Sequence, residues 1–400
     1  MTGTMSTIAV AAPSPASSRA IPPAVWLLAM TTFAITSSEF MVAGMLPMLA
    51  RAFDVSIGSI GYLISLYALG MAVGGPLVTA LLLHLKVPHR RGLIWLLALF
   101  LVGSLIAATA LGYPAMAIGR VIQGVASAGY FGVALTICAE LVAPDLRGRA
   151  ASYVLAGLML SPVAGVPTLA LIAGAAGWQA AFWTIVAVTL VCIALIATGL
   201  PASPPDADID LGRSAAALLS ARLWAVYATS GLVIGATFAA FSYVAPIFTT
   251  VTGLSPRSIP LLLAGYGVAN ILGNIVIGRF ADRFTILILA SGLATLAAAL
   301  AVLALCATVP AVAIAAFLVI GLVGVALNPA MVVRVMRAAH PGPLVNSLHT
   351  SVITAGLALG TWAGGAAIDR GYGLTAPLWV GVALAILGLL SLAPPSLRRA

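Results

Sequence analysis

Uninterrupted apolar stretches of about 20 residues recur along almost the whole chain, and few folds can use them. Hydrocarbon offers no water to satisfy backbone N–H and C=O groups, so a segment that crosses it is an α-helix or part of a closed barrel. The runs here are continuous, not ten-residue alternations of apolar and polar side chains, and that pattern identifies helices. Twelve spans are distinguishable, at roughly 24–49, 58–83, 92–112, 114–140, 149–175, 180–200, 223–250, 258–281, 284–306, 309–336, 343–368 and 375–394. Pro114, the Gly177-Trp178 corner and Pro310 mark tight turns between them. The composition agrees: 62% of the 400 residues are hydrophobic and 7% charged, where soluble domains carry about a quarter charged residues. The expected fold is all-α, a polytopic membrane protein whose partner is the lipid bilayer.

The placement of the cations supplies the orientation. With a cytoplasmic N-terminus, the even-to-odd loops and both termini hold Arg19, Lys86, Arg90, Arg91, Arg147, Arg149, Arg213, Arg222, Arg279, Arg283, Arg334, Arg337, Arg398 and Arg399, fourteen of the eighteen Lys and Arg. Arg51, Arg257 and Arg370 fall on the outer side, and Arg120 lies inside a span. This positive-inside bias predicts a multi-pass protein of the cell membrane with both termini in the cytoplasm. It also accounts for the net charge of +9 without a nucleic-acid partner, because the basic residues are spread over the loops. Residues 1–23, rich in Ala, Ser, Pro and Thr, read as a disordered cytoplasmic tail. Cys138, Cys192 and Cys306 sit in separate apolar spans without pairing or metal spacing and read as packing residues.

The longest polar break, 201–222, divides the chain into a six-helix bundle over 24–200 and another over 223–394, with a short tail at 395–400. Within the break, Asp206, Asp208 and Asp210 imitate the start of a calcium loop, but Leu211 and Ala217 stand where the loop needs Gly and Glu. A solvated linker is expected, with no metal and no cofactor. At an offset of 199 residues Pro47 meets Pro246, Ser56 meets Ser255, Tyr67 meets Tyr266, Gly74 meets Gly273 and Gly165 meets Gly364. Identities at one offset in three helix pairs indicate duplication, and similar halves suit a site between them.

The chain has nine acidic residues, and one of them, Glu39, lies in the middle of the first span. A charge at the bilayer centre costs about 2.5–3.5 kcal/mol on insertion scales and therefore faces a cavity or a partner. Thr32, Thr36, Glu39 and Ala43 recur at helical spacing as a small polar stripe, and Arg120, Gln123 and Ser127 form another on the fourth span. Neither charge has a repeat counterpart, since the offset aligns Glu39 with Phe238 and Arg120 with Val319. Tyr266, Asn270 and Asn274 share one face of the eighth span, Phe238, Phe241 and Tyr243 cluster in the seventh, and Asn346, His349 and Thr350 in the eleventh. Together with Thr36 these are candidate substrate contacts, of a kind that suits a small, neutral, partly lipophilic molecule. Interhelical packing is the competing reading for each of them.

Three stretches carry a resemblance. The eighth span ends in "GRFADRF", with Gly278, Asp282 and Arg283; the fourth contains Arg120, Gln123 and Gly124; the fifth contains Gly148, Gly157, Ser161, Pro162, Gly165 and Pro167. They resemble motifs A, B and C of the major facilitator superfamily, with Ser161 and Val166 standing where motif C has glycine. The opening "TSSEFMVAGMLP", with "GVPTL", "GWQAAFW" and "DRGYGLTAPLWVG", is similar to the drug/proton antiporter branch, in particular chloramphenicol-resistance and arabinose-type efflux transporters. In the first-half copy of motif A, Leu83 and His84 replace the Asp-Arg pair, leaving His84, Lys86, Arg90 and Arg91 as its charges.

The resemblance implies a monomeric exporter of a small drug-like compound, a phenicol antibiotic best, exchanged for protons. As a general rule burial makes a carboxyl group retain its proton and a neighbouring cation makes it release it, so a carboxyl in alternating surroundings can carry one. Glu39 and Arg120 are the expected coupling pair. The competing reading is a static buried ion pair. Sugar or nucleoside efflux is the alternative within transport. An enzyme or receptor would need a nucleophile and base, a metal cluster or a soluble domain, and the sequence has no such signature.

Overall fold

The computed structural model describes residues 21–143, 146–201, 220–338 and 343–392. The expected tail, linker and closing residues, including Asp206, Asp208 and Asp210, lie outside the described residues except at their inner edges. All regular structure among the described residues is helical. Helices α1 (Pro23–Phe53), α2 (Ile57–His84), α3 (His89–Ala108) and α4 (Tyr113–Glu140) are followed by α5 (Arg147–Ala176) and α6 (Trp178–Gly199). Helix α7 (Ala221–Phe241) begins the second half. The next helix, Ile259–Leu305, runs for 47 residues, or about 70 Å at 1.5 Å per residue, more than twice the hydrocarbon thickness. It breaks at Phe284, where φ −124° and ψ 34° leave the helical region. The expected turn between two spans is thus a single non-helical residue, and the segments before and after it are α8 and α9. Helices α10 (Pro310–Ala338), α11 (Pro343–Asp369) and α12 (Ala376–Ser391) complete twelve crossings.

Proline sets most of the irregularities. In α5, Pro162 and Pro167 each lack an N–H and crowd the carbonyl four residues back, and the chain responds with a π turn over Ser161–Gly165. Pro329 has the same effect in α10, which tightens to a 3-10 turn over Val325–Leu327. Helix α7, expected as one span to residue 250, ends at Phe241 and resumes through Val244–Pro246 and a π turn over Ile247–Val251. Large apolar side chains face outward along the helices, Leu261, Ile275 and Leu287 among them, as a bilayer solvent requires and water would not favour. The chain is a multi-pass membrane protein.

The two halves repeat the same helix contacts. A Cβ on Gly124 of α4 would press on the Tyr67 carbonyl of α2, and one on Gly321 of α10 would lie 2.9 Å from the Tyr266 carbonyl of α8. Gly74 faces Val125 of α4, as Gly273 faces Leu322 of α10. Where the chain has a large residue in place of such a glycine, the helices must separate. Gly124→Val is therefore expected to lower stability in detergent by about 1–3 kcal/mol, because the obstructing atoms are backbone and cannot rotate away. Gly132→Ala, on the same helix but with nothing within 4 Å of the added carbon, is the control and is expected to leave the melting temperature unchanged or slightly raised.

Contacts between the halves gather toward one membrane face, the one that carries the α1–α2 and α11–α12 turns, called here the far face; the opposite one is the linker face. At the far face Gly58 of α2 approaches Gly365 and Asp369 of α11, and Gly61 approaches the Tyr243 ring. Near mid-membrane, Gly267 of α8 meets the backbone of Pro162 and Val163 at the π turn of α5.

Candidate functional site

Glu39 is 7% exposed and Arg120 fully buried, and helices α1 and α4 bring them side by side. The guanidinium does not pair with the carboxylate. Arg120 donates to the main-chain oxygens of Ser38 and Glu39, both at 2.8 Å, to Gln123 Oε1 at 3.1 Å and, weakly, to Leu63 O at 3.5 Å. Its Cζ lies 4.2 Å from the centroid of the Tyr67 ring, a cation–π arrangement. Helix carbonyls keep a second lone pair after their i+4 bond, and the five N–H groups of arginine reach several of them at once. The static ion pair weighed from the sequence is therefore not formed. Among the described residues the Glu39 carboxylate has no hydrogen bond and no ion pair, although Arg120 and Tyr67 are close by.

The amide of Gln123 completes the clamp, donating to Ser104 Oγ at 2.9 Å and Ser38 Oγ at 3.4 Å. Ser127 is hydrogen-bonded to the Tyr67 hydroxyl. Thr32 and Thr36, on the stripe with Glu39, are buried with hydroxyl oxygens that find no partner among the described residues. The polar stripe read from helical spacing is thus real, but one part is satisfied and the other is not.

Beside Glu39, Phe40 crosses to the second half. Its ring stacks on Phe238 at 5.2 Å and meets Phe241 edge-on at 5.9 Å. Phe241 continues to Tyr266 at 4.8 Å, and Tyr266 stacks on Phe317 of α10 at 4.9 Å. The Tyr266 hydroxyl and, one turn on, Asn270 Oδ1 are buried without a partner among the described residues. A wall of five aromatic rings thus joins the halves, with the Tyr266 hydroxyl and the nearby Asn270 unsatisfied, and it starts on α1 at the residue after Glu39. Phe238, Phe241, Tyr266 and Asn270 were legible from the sequence. Phe40 and Phe317 were not, although Phe40 is adjacent to Glu39 and could have been inferred from that.

The other candidates lie elsewhere. Tyr243, two residues beyond Phe241, turns to the far face, where its hydroxyl donates to Thr361 O at 2.7 Å. His349 is buried against α7, bonded to Ser230 Oγ at 2.9 Å and stacked on Tyr227 at 5.7 Å, while Asn346, one turn earlier, is exposed. In motif C, Gly157 faces the backbone of Ala29 and Phe33, Gly165 faces Ser37, and Ser161 Oγ lies 3.1 Å from Ser37 Oγ. Pro167 is buried, and Gly148 has open space around it.

In motif A, Gly278 makes ordinary contact with Pro329. The exposed Asp282 accepts from Arg337 through its main-chain oxygen, and Arg283 lies over the Phe284 ring at 5.1 Å. The first-half copy is tied within its own half: Arg90 donates to Ala197 O of α6, and His89 Nδ1 lies 2.8 Å from Glu140 Oε1. No cluster of metal-ligating side chains occurs among the described residues.

The model of the Major Facilitator Superfamily matches residues 28–361. The Chloramphenicol resistance protein of Streptomyces lividans is 32% identical over 375 residues, spanning 92% of this chain and 95% of that protein. Inner membrane transport protein YdhP of Escherichia coli (strain K12) is 30% identical over 364 residues, 91% of this chain and 93% of that one. Two solved structures share the architecture: the POT family transporter PepTSo, with a TM-score of 0.76 at 12% identity over 92% of this chain and 97% of its own, and a D-xylose-proton symporter, with a TM-score of 0.72 at 16% identity over 92% and 96%.

Proposed function

Because the chain belongs to the Major Facilitator Superfamily and is a membrane transporter, not an enzyme, we propose that it exports a small, mostly neutral drug-like compound in exchange for protons. The observation that carries this reading is the buried, unpaired Glu39 carboxylate on the same turn of α1 as Phe40, whose ring begins an aromatic wall that spans both halves. The compound lies against Phe40, Phe238, Phe241 and Tyr266, with Thr36 and Asn270 supplying polar contacts, and the proton rides on Glu39. Arg120 positions the helix that carries this carboxyl. The halves rock about the site, so that it opens to one membrane face at a time. The fourteen cations on the linker side and the termini make that side cytoplasmic in the cell membrane, and the protein works as a monomer.

A phenicol antibiotic is the substrate of choice: a substituted phenyl ring for the wall, with hydroxyl and amide groups for Thr36 and Asn270. The relative from Streptomyces lividans, named for chloramphenicol resistance, supports that chemistry. The test is purified protein in liposomes under an imposed pH gradient, with radiolabelled chloramphenicol. Gradient-dependent movement is expected, and Phe241→Ala is expected to weaken apparent affinity about tenfold, the loss of one well-buried ring and its stacking. Chloramphenicol that moves no faster than in empty liposomes would remove the phenicol assignment.

A further inference from the structure

The far face holds a polar contact between the halves that the aromatic site does not use. The Asp369 carboxylate, at the end of α11, accepts hydrogen bonds from Ser56 Oγ at 2.6 Å and from the Tyr62 hydroxyl at 2.9 Å, both at the start of α2. Among the described residues it has no other hydrogen bond and no ion pair, with Tyr113 and Tyr243 the further polar side chains nearby. The neighbouring Arg370 turns back to Ala366 O at 3.4 Å. Beneath this contact the backbones nearly touch: a Cβ on Gly365 would lie 2.9 Å from Gly58 O and 2.9 Å from the Tyr62 ring. Tyr243, in the break after α7, fills the adjoining space between Gly61 and Gly364.

The internal repeat shows that this contact is not a general feature of the fold. At the 199-residue offset the counterpart of the α2–α11 pair is the α8–α5 pair, and there Ala170 stands for Asp369 and Leu261 for Tyr62. Leu261 is 76% exposed, and Ala170 lies by Leu263 and Gly44 in an apolar contact. Ser255, the counterpart of Ser56, keeps only the local duty they share: each caps its own helix, Ser56 accepting from Ser59 N at 2.9 Å and Ser255 from Arg257 N at 3.4 Å. One of two equivalent interfaces therefore bears a carboxylate bridged to two hydroxyls of the other half, and its twin bears none.

We infer that Asp369, Ser56 and Tyr62 form a one-sided latch that holds the far face closed between the halves. Bonds to an ionised carboxylate are shorter and about twice as strong as neutral ones, and here each joins residues more than 300 positions apart in sequence. Opening the far face must break both, while the apolar α5–α8 contact slides without losing a directed bond and serves as the pivot. The latch thus sets the balance between far-closed and far-open forms. This inference rests on the rocking motion proposed above and not on which compound is carried.

Spin labels at positions 52 and 372, both exposed at the far face, report the balance as two distance populations, without substrate and in a background lacking the three cysteines. Asp369→Ala is expected to lower the closed-to-open ratio about five- to tenfold, the factor for losing solvent-accessible, charge-assisted bonds. Ser56→Ala with Tyr62→Phe is expected to lower it equally, and the triple substitution no further, since all remove one shared interaction. Should the aspartate variant fail to fold, the hydroxyl pair alone gives the reading. An unchanged ratio in the hydroxyl pair, or effects that simply add in the triple variant, would overturn the latch. Because no substrate is present, a failure of chloramphenicol transport is separate from either outcome.

Discussion

Glu39→Gln is expected to abolish pH-gradient-driven transport while leaving the fold intact. The substitution keeps the shape of the side chain and its capacity to hydrogen-bond, but removes the titrating group. In a protein where Glu39 served as half of a buried ion pair, the same change would leave a cation uncompensated and destabilise by several kcal/mol. Here Arg120 is bound to the main-chain oxygens of Ser38 and Glu39, which glutamine retains. The melting temperature in detergent is therefore expected to stay close to that of the wild type. Gradient-driven flux is expected to fall at least tenfold, to the level of passive exchange, and chloramphenicol binding to survive. A variant that still moves substrate against its gradient at the wild-type rate would show that the proton is carried elsewhere.

Arg120→Ala is expected to have the opposite profile, a large loss of stability. The substitution removes three good hydrogen bonds and a ring contact from a fully buried position and leaves a cavity where α1, α2 and α4 meet. Truncating one partner of a buried, charged hydrogen-bonded network costs about 3–5 kcal/mol, enough to lower a melting temperature by many degrees. Arg120→Lys is expected to recover only part of this. A single ammonium does not span the two carbonyls and Gln123 together, nor stack flat over Tyr67. Equal thermal stability of wild type and Arg120→Ala would show that the clamp is incidental.

The two charges illustrate how far the sequence could be read. Glu39 and Arg120 stood out because a charge in a long apolar run is expensive, an argument that needs only residue order and the properties of the bilayer. That they would be neighbours followed from spacing only as a possibility. That arginine would ignore the carboxylate and take the backbone depended on how α4 and α1 are rotated in the bundle, where Gly124 seats α4 on Tyr67 of α2 and Gly157 of α5 seats on Ala29 of α1. Helical periodicity placed Phe238, Phe241 and Tyr243 together, yet the break after Phe241 sends Tyr243 to the far face. Phe317 lies in an apolar run with no polar neighbour to mark it.

By itself the sequence determined the helices, their number and their duplication, because the energy of a backbone in hydrocarbon depends on local composition alone. It also singled out the residues too costly to be there without a purpose. The tertiary structure decided which of them meet: an Arg120 bound to the Glu39 main chain and not to its carboxylate, and an Asp369 bridged to α2 where its repeat has alanine. Those pairings depend on helix rotation and separation, which glycine contacts between residues far apart in the chain set to within a fraction of an ångström.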